Sequence, residues 1–295
     1  MSVELPFRRV AVLGTGLIGG SFGLAIRQHF QGVSVIGFDR EEPLARAIAR
    51  GAVQEFAANI SDAVRDADLV YVALPIAATI DALPSIAANS RQDALVTDAC
   101  STKKVICTTA SRHFQKGPRF LGGHPMAGKE RCGIDQAFAE IFVGAPYVLI
   151  GSEKEAGRHP QVAKFIELLQ AIGARSVWSD AETHDWAVSI VSHLPQLAAV
   201  ALAGVVGDET DETGLPVSLA GKGLQDSLRL AASPYSLWRD ILLTNRENIA
   251  HALDRLAQAV EHLRANLSSK LLEEEFQAAN EVYDVLREQQ QKPEN

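Results

Sequence analysis

The chain has 295 residues, 47% hydrophobic and 22% charged, with a formal net charge of −8 and a pI of about 5.5. This is a globular balance, long enough for two domains of about 100–200 residues each, and its acidity argues against a nucleic-acid partner, which calls for a basic stripe. Cys100, Cys107 and Cys132 are odd in number and form no CxxC, so neither a disulfide framework nor a zinc site is expected, and no other metal is.

The N-terminal MSVELPFRRVAVLG runs from two arginines straight into a glycine motif and reads as a strand, not a signal peptide. Short β-branched, apolar runs at 8–14, 33–39, 67–75, 93–99, 119–125 and 145–151 predict strands. Helical patterns at 17–30, 41–50, 76–89 and 101–114 lie between the earlier ones. Such alternation gives a parallel sheet with helices on both faces. Residues 159–173 read as a helix and 174–180 as a last strand. From Asp180 onward the chain reads as helices over 181–207, 216–231, 234–267 and 269–291, with a polar loop at 207–216. The expected architecture is an α/β Rossmann dinucleotide-binding domain over 1–180 followed by an all-α domain over 181–295.

VAVLGTGLIGGSFG places G-x-G-x-x-G at Gly14, Gly16 and Gly19, after a strand and opening a helix. The first glycine permits the turn, the second lets backbone approach a pyrophosphate, and the third lets helix pack on strand. Asp39, 20 residues beyond Gly19, ends the next strand, where a carboxylate accepts hydrogen bonds from ribose hydroxyls and repels a 2′-phosphate. Arg40 and Arg27 pull the other way, toward a 2′-phosphate. The expected cofactor is NAD rather than NADP, held by Gly14, Gly16, Leu17, Ile18, Gly19, Asp39 and Arg40.

DWAVSIVSHLPQLAAVALAGVV (185–206) is nearly long and apolar enough to span a membrane. Ser189, Ser192, His193 and Gln196 at its middle, and the lack of a flanking basic cluster, argue for a helix buried at an interface instead. Ser189, His193 and Gln196 share one face. Buried polar groups need partners, which either a ligand or one another would supply. Pro195 has no N–H to give and is expected to kink the helix at Val191.

His124, at the end of the predicted strand 119–125, stands where open α/β sheets bind ligands; as neutral imidazole it could accept a proton, or it could simply cap nearby backbone. Ser101 begins the predicted helix 101–114, where a serine is commonly an N-cap. Arg229 is suited to a carboxylate through paired hydrogen bonds, or to Asp226 three residues earlier. Trp238 could wall a pocket or fill the core.

GGHPMAGKERCG (122–133), DACSTKK (98–104), SHLPQ (192–196) and DSLRLAASPYSLWRDILLTNRENI (226–249), with the glycine motif, resemble the prephenate/arogenate dehydrogenases of tyrosine biosynthesis over roughly residues 8–270. The resemblance implies a Rossmann domain, a helical dimerisation and substrate domain, a cytoplasmic homodimer, and NAD-dependent oxidative decarboxylation of prephenate or arogenate. It implies His124 as proton acceptor, Ser101 beside it and the substrate hydroxyl, and Arg229 on the substrate carboxylate. Ser192, Gln196, His184, Glu130 and Trp238 would lie at or near the substrate. Many prephenate-using members carry His where this chain has Gln196, which leaves the choice between the two substrates open. A 3-hydroxyacid or imine-reducing dehydrogenase would instead need a catalytic lysine, for which Lys222 is the candidate, and a non-catalytic NAD sensor would leave HPMAG unexplained.

Overall fold

The computed structural model describes residues 3–4, 7–128, 132–210 and 213–291. It comprises two compact units, Met1–Asn248 and Ile249–Asn295.

The first unit is built on a six-stranded parallel sheet. Its strands are β1 (Arg9–Leu13), β2 (Ser34–Phe38), β3 (Glu55–Phe56), β4 (Leu69–Val72), β5 (Leu95–Asp98) and β6 (Arg119–Leu121), in spatial order 3-2-1-4-5-6. This is the order of doubly wound dinucleotide-binding sheets, whose ligand crevice opens where the order reverses, between β1 and β4. Helices α1 (Leu17–His29), α2 (Glu41–Ala49), α3 (Ile60–Val64), α4 (Ile76–Asn89) and α5 (Lys104–His113) connect the strands. The central strands β1, β2, β4 and β5 are buried on both faces, as the near-continuous apolar runs demand, while the edge strand β3 is exposed. One core layer stacks Phe22 of α1 on Tyr71 of β4, with ring centroids 3.7 Å apart.

The single strand expected over 119–125 is two. After β6 the chain leaves the large sheet at Gly122 and forms β7 (Gly123–Pro125) in a second, three-stranded sheet with β8 (Pro146–Ile150) and β9 (Arg175–Ser179). β7 runs antiparallel to β8, which runs parallel to β9. The crossing is tight: a Cβ on Gly123 would sit 2.6 Å from the carbonyl oxygen of Asp98. Helix α6 (Pro160–Ala171) covers the connection from β8 to β9.

Sheet gives way to helix after Ser179, within the first unit. Helix α7 (Ala181–Val188) passes through one π-helical turn (Ser189–His193) into α8 (Leu194–Asp208). In place of the kink expected at Val191 the helix widens: Leu194 N–H bonds to the oxygen of Ser189, five residues back, and the turn leads into Pro195, which has no N–H. Two other expected helices are interrupted. The pattern over 216–231 breaks into Leu215–Ser218, α9 (Lys222–Leu228) and a 3₁₀ turn (Arg229–Ala232), with Gly221 at the break. The pattern over 234–267 ends α10 (Tyr235–Thr244) at Asn245 and restarts as α11 (Arg246–Ala265). Asn245 is buried; its Nδ2 serves Asp185 and His193 on other segments, while its Oδ1 accepts from Asn248 at the start of α11.

Two carboxylates from the helical segment cap helices of the sheet layer. Asp185 accepts the N–H groups of Lys103 and Lys104 at the start of α5, at 2.7 and 2.9 Å, and Asp240 accepts that of Ala77 at the start of α4, at 3.0 Å. Carboxylates at helix N-termini satisfy orphan donors and oppose the helix dipole. In the second unit, α11 is followed by α12 (Leu271–Gln291), and His262 on the first lies 3.3 Å from Glu275 on the second.

Candidate active site

The glycine loop does what its spacing predicts. Gly14 turns at φ +89°, and a Cβ there would lie 2.5 Å from the oxygen of Ala73. Gly19 presses α1 onto the loop, its hypothetical Cβ only 1.9 Å from the oxygen of Gly14. Gly16 differs: nothing lies within 4 Å of its missing Cβ, so open space adjoins the N-terminus of α1. Leu17 and Ile18 form the first turn, with Leu17 buried. Backbone N–H groups facing open space at a helix start are what a pyrophosphate requires.

Asp39 follows β2 and turns one oxygen back to the loop, accepting from Thr15 N–H at 2.7 Å and Thr15 Oγ1 at 3.1 Å. Its other oxygen accepts from the N–H of Arg40, whose side chain is exposed. The residues therefore fit a dinucleotide whose ribose hydroxyls meet Asp39. The expected cofactor residues converge on this one cradle.

His124 lies in the middle of β7, opposite Val148, rather than at a strand terminus. It is 8% exposed. Its Nδ1 is 2.9 Å from Nε2 of His184, and His184 Nδ1 is 2.8 Å from Oδ1 of Asp185. Asp185 already accepts two backbone N–H groups, so it acts as an ionised acceptor and His184 Nδ1 must donate to it. His184 Nε2 then accepts, His124 Nδ1 donates, and the lone pair of His124 remains at Nε2. Burial above all, followed by charge repulsion that His184, Lys103 and His193 would exert on a protonated ring, holds the pKa of His124 well below the usual imidazole range. The result is a neutral imidazole with one fixed acceptor nitrogen.

Both ring nitrogens of His184 are taken, by His124 and Asp185, and it is 2% exposed. Ser101 is placed differently. The helix begins at Lys104, and the capping work expected of Ser101 falls to Asp185. Ser101 stays half-buried in the turn after β5.

Along the π turn, Ser189 donates to the oxygen of Trp186 at 2.6 Å. His193 meets Trp238 edge to face at 5.8 Å and takes Asn245 Nδ2 at 3.3 Å. Burial drives the His193 pKa down to about 4. Trp238 is half-buried, and its Nε1–H has no partner among the described residues. Gln196 is 3% exposed, and its amide makes no hydrogen bond among the described residues. Ser192 is half-buried one turn before it. The polar turn is thus partly self-satisfied, through Ser189 and His193, and partly unspent, at Gln196 and Trp238. Arg229 is exposed at the junction of α9 and the 3₁₀ turn. Glu130 lies outside the described residues.

Four residues of the site were not foreseen: Asp185, Asn245, Lys103 and Asp98. Asp185 adjoins His184 in ETHDW, and a carboxylate beside a histidine was the available signal. Asn245 gave none, being one polar residue in an apparently continuous helix. Lys103 is fully buried and bonded to Asp98 and to the oxygen of Gly123, a fate that composition does not announce.

A doubly wound sheet with a dinucleotide cradle, and a neutral histidine fixed next to a helical segment, define an NAD-dependent dehydrogenase. The family model for the prephenate dehydrogenase nucleotide-binding domain matches residues 22–178, and that for the prephenate dehydrogenase dimerization domain matches 180–281. A prephenate dehydrogenase of Lactococcus lactis is 32% identical over 279 residues, covering 94% of this chain and 75% of its own. The structure of prephenate dehydrogenase from A. aeolicus in complex with hydroxyphenyl propionate and NAD+ superposes with a TM-score of 0.84 at 25% identity, covering 98% of this chain and 99% of the other. A Synechocystis arogenate dehydrogenase gives 0.78 at 28% identity, covering 94% and 99%. The chain belongs to the prephenate dehydrogenase family.

Proposed function

We propose that this chain oxidises prephenate to 4-hydroxyphenylpyruvate with NAD+, releasing CO2, in tyrosine biosynthesis. The observation that carries the reading is the Asp185–His184–His124 line, which leaves one buried, neutral nitrogen as a proton acceptor. NAD+ bound at the glycine loop supplies the hydride acceptor. His124 Nε2 takes the proton of the substrate hydroxyl as hydride departs from the carbon bearing it. The ring carboxylate then leaves as CO2, and its bonding pair enters the ring, which becomes aromatic. The resulting phenolate oxygen takes the proton back from His124. A positioned base of this kind contributes about 10²–10⁴ in rate. Ser101 in the turn after β5 orients the hydroxyl, and Arg229 meets a substrate carboxylate through its guanidinium fork. Ser192 and Trp238 complete the described part of the substrate's surroundings.

Arogenate is the second substrate to test. It differs at the side chain, which carries an amine where prephenate has a ketone. The uncharged Gln196 amide, with no hydrogen bond among the described residues, is able to donate to one and accept from the other.

The helical domain, on this reading, pairs with a second copy of the chain. The helix Ala181–Asp208 is apolar and long enough to span a membrane, with mean hydropathy 1.7, yet only 17% of its most apolar stretch is buried within the chain. Val191 and Val205 are 64% and 60% exposed. A partner subunit covers such a face at lower cost than lipid would, given the polar turn at its centre. The enzyme is then a cytoplasmic homodimer with a small-molecule substrate, needing neither nucleic acid nor membrane.

A two-by-two assay tests the proposal: NADH or NADPH formation from prephenate and from arogenate. Turnover of prephenate with NAD+ exceeding the other three combinations is expected. No turnover of either ring compound would overturn it.

A further inference from the structure

Lys103 is a buried cation that the reaction as written does not use. Its side chain and that of Asp98 are both 0% exposed, and they are paired. Lys103 Nζ also donates to the oxygen of Gly123 at 2.7 Å. Asp98 Oδ1 accepts the N–H of Gly123 at 3.1 Å, and its Oδ2 that of Cys100 at 3.0 Å. Both polar groups of residue 123 are thereby clamped by one ion pair. That residue immediately precedes His124, while Cys100 immediately precedes Ser101.

The clamp sits where two sheets meet without a ladder. Asp98 ends β5 of the six-stranded sheet, and Gly123 opens β7 of the three-stranded one. The backbone comes so close here that only glycine fits. The parallel ladder ends at Thr97 and Leu121, and the ion pair carries the contact on from Asp98 to Gly123. A buried pair of this depth adds little net stability, because desolvating two charges offsets most of their attraction. What it supplies is geometry and a fixed positive charge.

We propose that Lys103, acting with Asp98, is a positioning residue for the dehydrogenation: by clamping the Gly123 peptide it fixes His124 against the Ser101 turn. This rests on His124 being the proton acceptor. Its charge also bears on His124 directly. The groups facing His124 are His184 on α7 with Asp185 behind it, His193 on the π turn, and the Lys103–Asp98 pair; Val148 opposite on β8 brings no charge. Lys103 is a cation in this set, and its repulsion helps keep His124 neutral, with its acceptor nitrogen free, before substrate binds.

The test is kcat/KM against pH for Lys103→Met and Lys103→Arg, with NAD+ affinity and thermal melting measured on the same preparations. Lys103→Met is expected to keep NAD+ affinity within about threefold, lose at least about tenfold in kcat, and move the acidic limb to higher pH. Lys103→Arg keeps the charge but not the point geometry, so kcat falls at least about threefold while the limb stays. A merely structural lysine would lower the melting temperature and leave kcat and the limb in place, and that outcome overturns the proposal. If Lys103→Met does not fold, Lys103→Arg decides alone, and a wild-type kcat in it overturns the clamp. Absence of turnover by the wild-type enzyme would overturn the proposed reaction and this inference together, whereas unchanged variants of an active enzyme count against Lys103 only.

Discussion

His124 and His184 meet edge to face, their ring planes 72° apart and Nδ1 of one 2.9 Å from Nε2 of the other, with Asp185 closing the line behind them. The polarity of the line is set at its far end. The Asp185 carboxylate turns both shared protons toward itself, and the acceptor nitrogen is left on the far side of His124.

Asp185→Asn should reverse that polarity. The new amide donates to His184 Nδ1, His184 Nε2 then carries the proton and donates to His124, and His124 Nε2 becomes a donor. We expect kcat to fall by about 10²–10³ with NAD+ affinity little changed. Loss of one acceptor at the start of α5 should cost about 1 kcal/mol in stability. Steady-state kinetics beside a urea melt separates the two effects, and a wild-type kcat would mean that the tautomer does not matter.

His193 makes folding pH-dependent. Its pKa is near 4 in the folded chain against 6.5 unfolded, so the unfolded state binds more protons between those values. Stability is complete above pH 6.5 and declines as the pH falls toward 4, by about 1–3 kcal/mol from this residue. Urea unfolding of wild type and His193→Gln at pH 7 and pH 4.5 checks this. The variant should show the smaller loss, and equal losses would count against the assignment.

The two glycines of the loop should fail in different ways. Gly16→Ala has open space and an ordinary φ of −70°, so it should fold normally and weaken NAD+ binding by at least about tenfold. Gly19→Ala drives a methyl into the oxygen of Gly14 and should cost about 1–3 kcal/mol of stability. Calorimetric titration and thermal melting of both proteins distinguish binding from packing. Equal behaviour in the two would contradict the division of roles.

The sheet and its cradle were legible because local patterns suffice for them. Apolar runs at Arg9–Leu13 and Ser34–Phe38, a glycine spacing and one terminal aspartate involve only neighbouring residues. The breaks were illegible because they depend on distant partners. Asn245 interrupts a helix for the sake of Asp185 and His193, 60 and 52 residues away. Ser101 carried two readings, a site residue by resemblance and a cap by its place in the chain, and nothing local says that Asp185 caps at Lys103 from 82 residues further on. His184 was visible as a site residue, but its position behind His124 was not, since spacing reports nothing about which ring stands in front.

The most direct measurement is kcat for NADH formation from prephenate by His124→Asn, with prephenate affinity measured separately by equilibrium binding. A loss of about 10²–10⁴ in kcat is expected, with a dissociation constant within about threefold of wild type. A variant that turns over at the wild-type rate would contradict His124 as the proton acceptor.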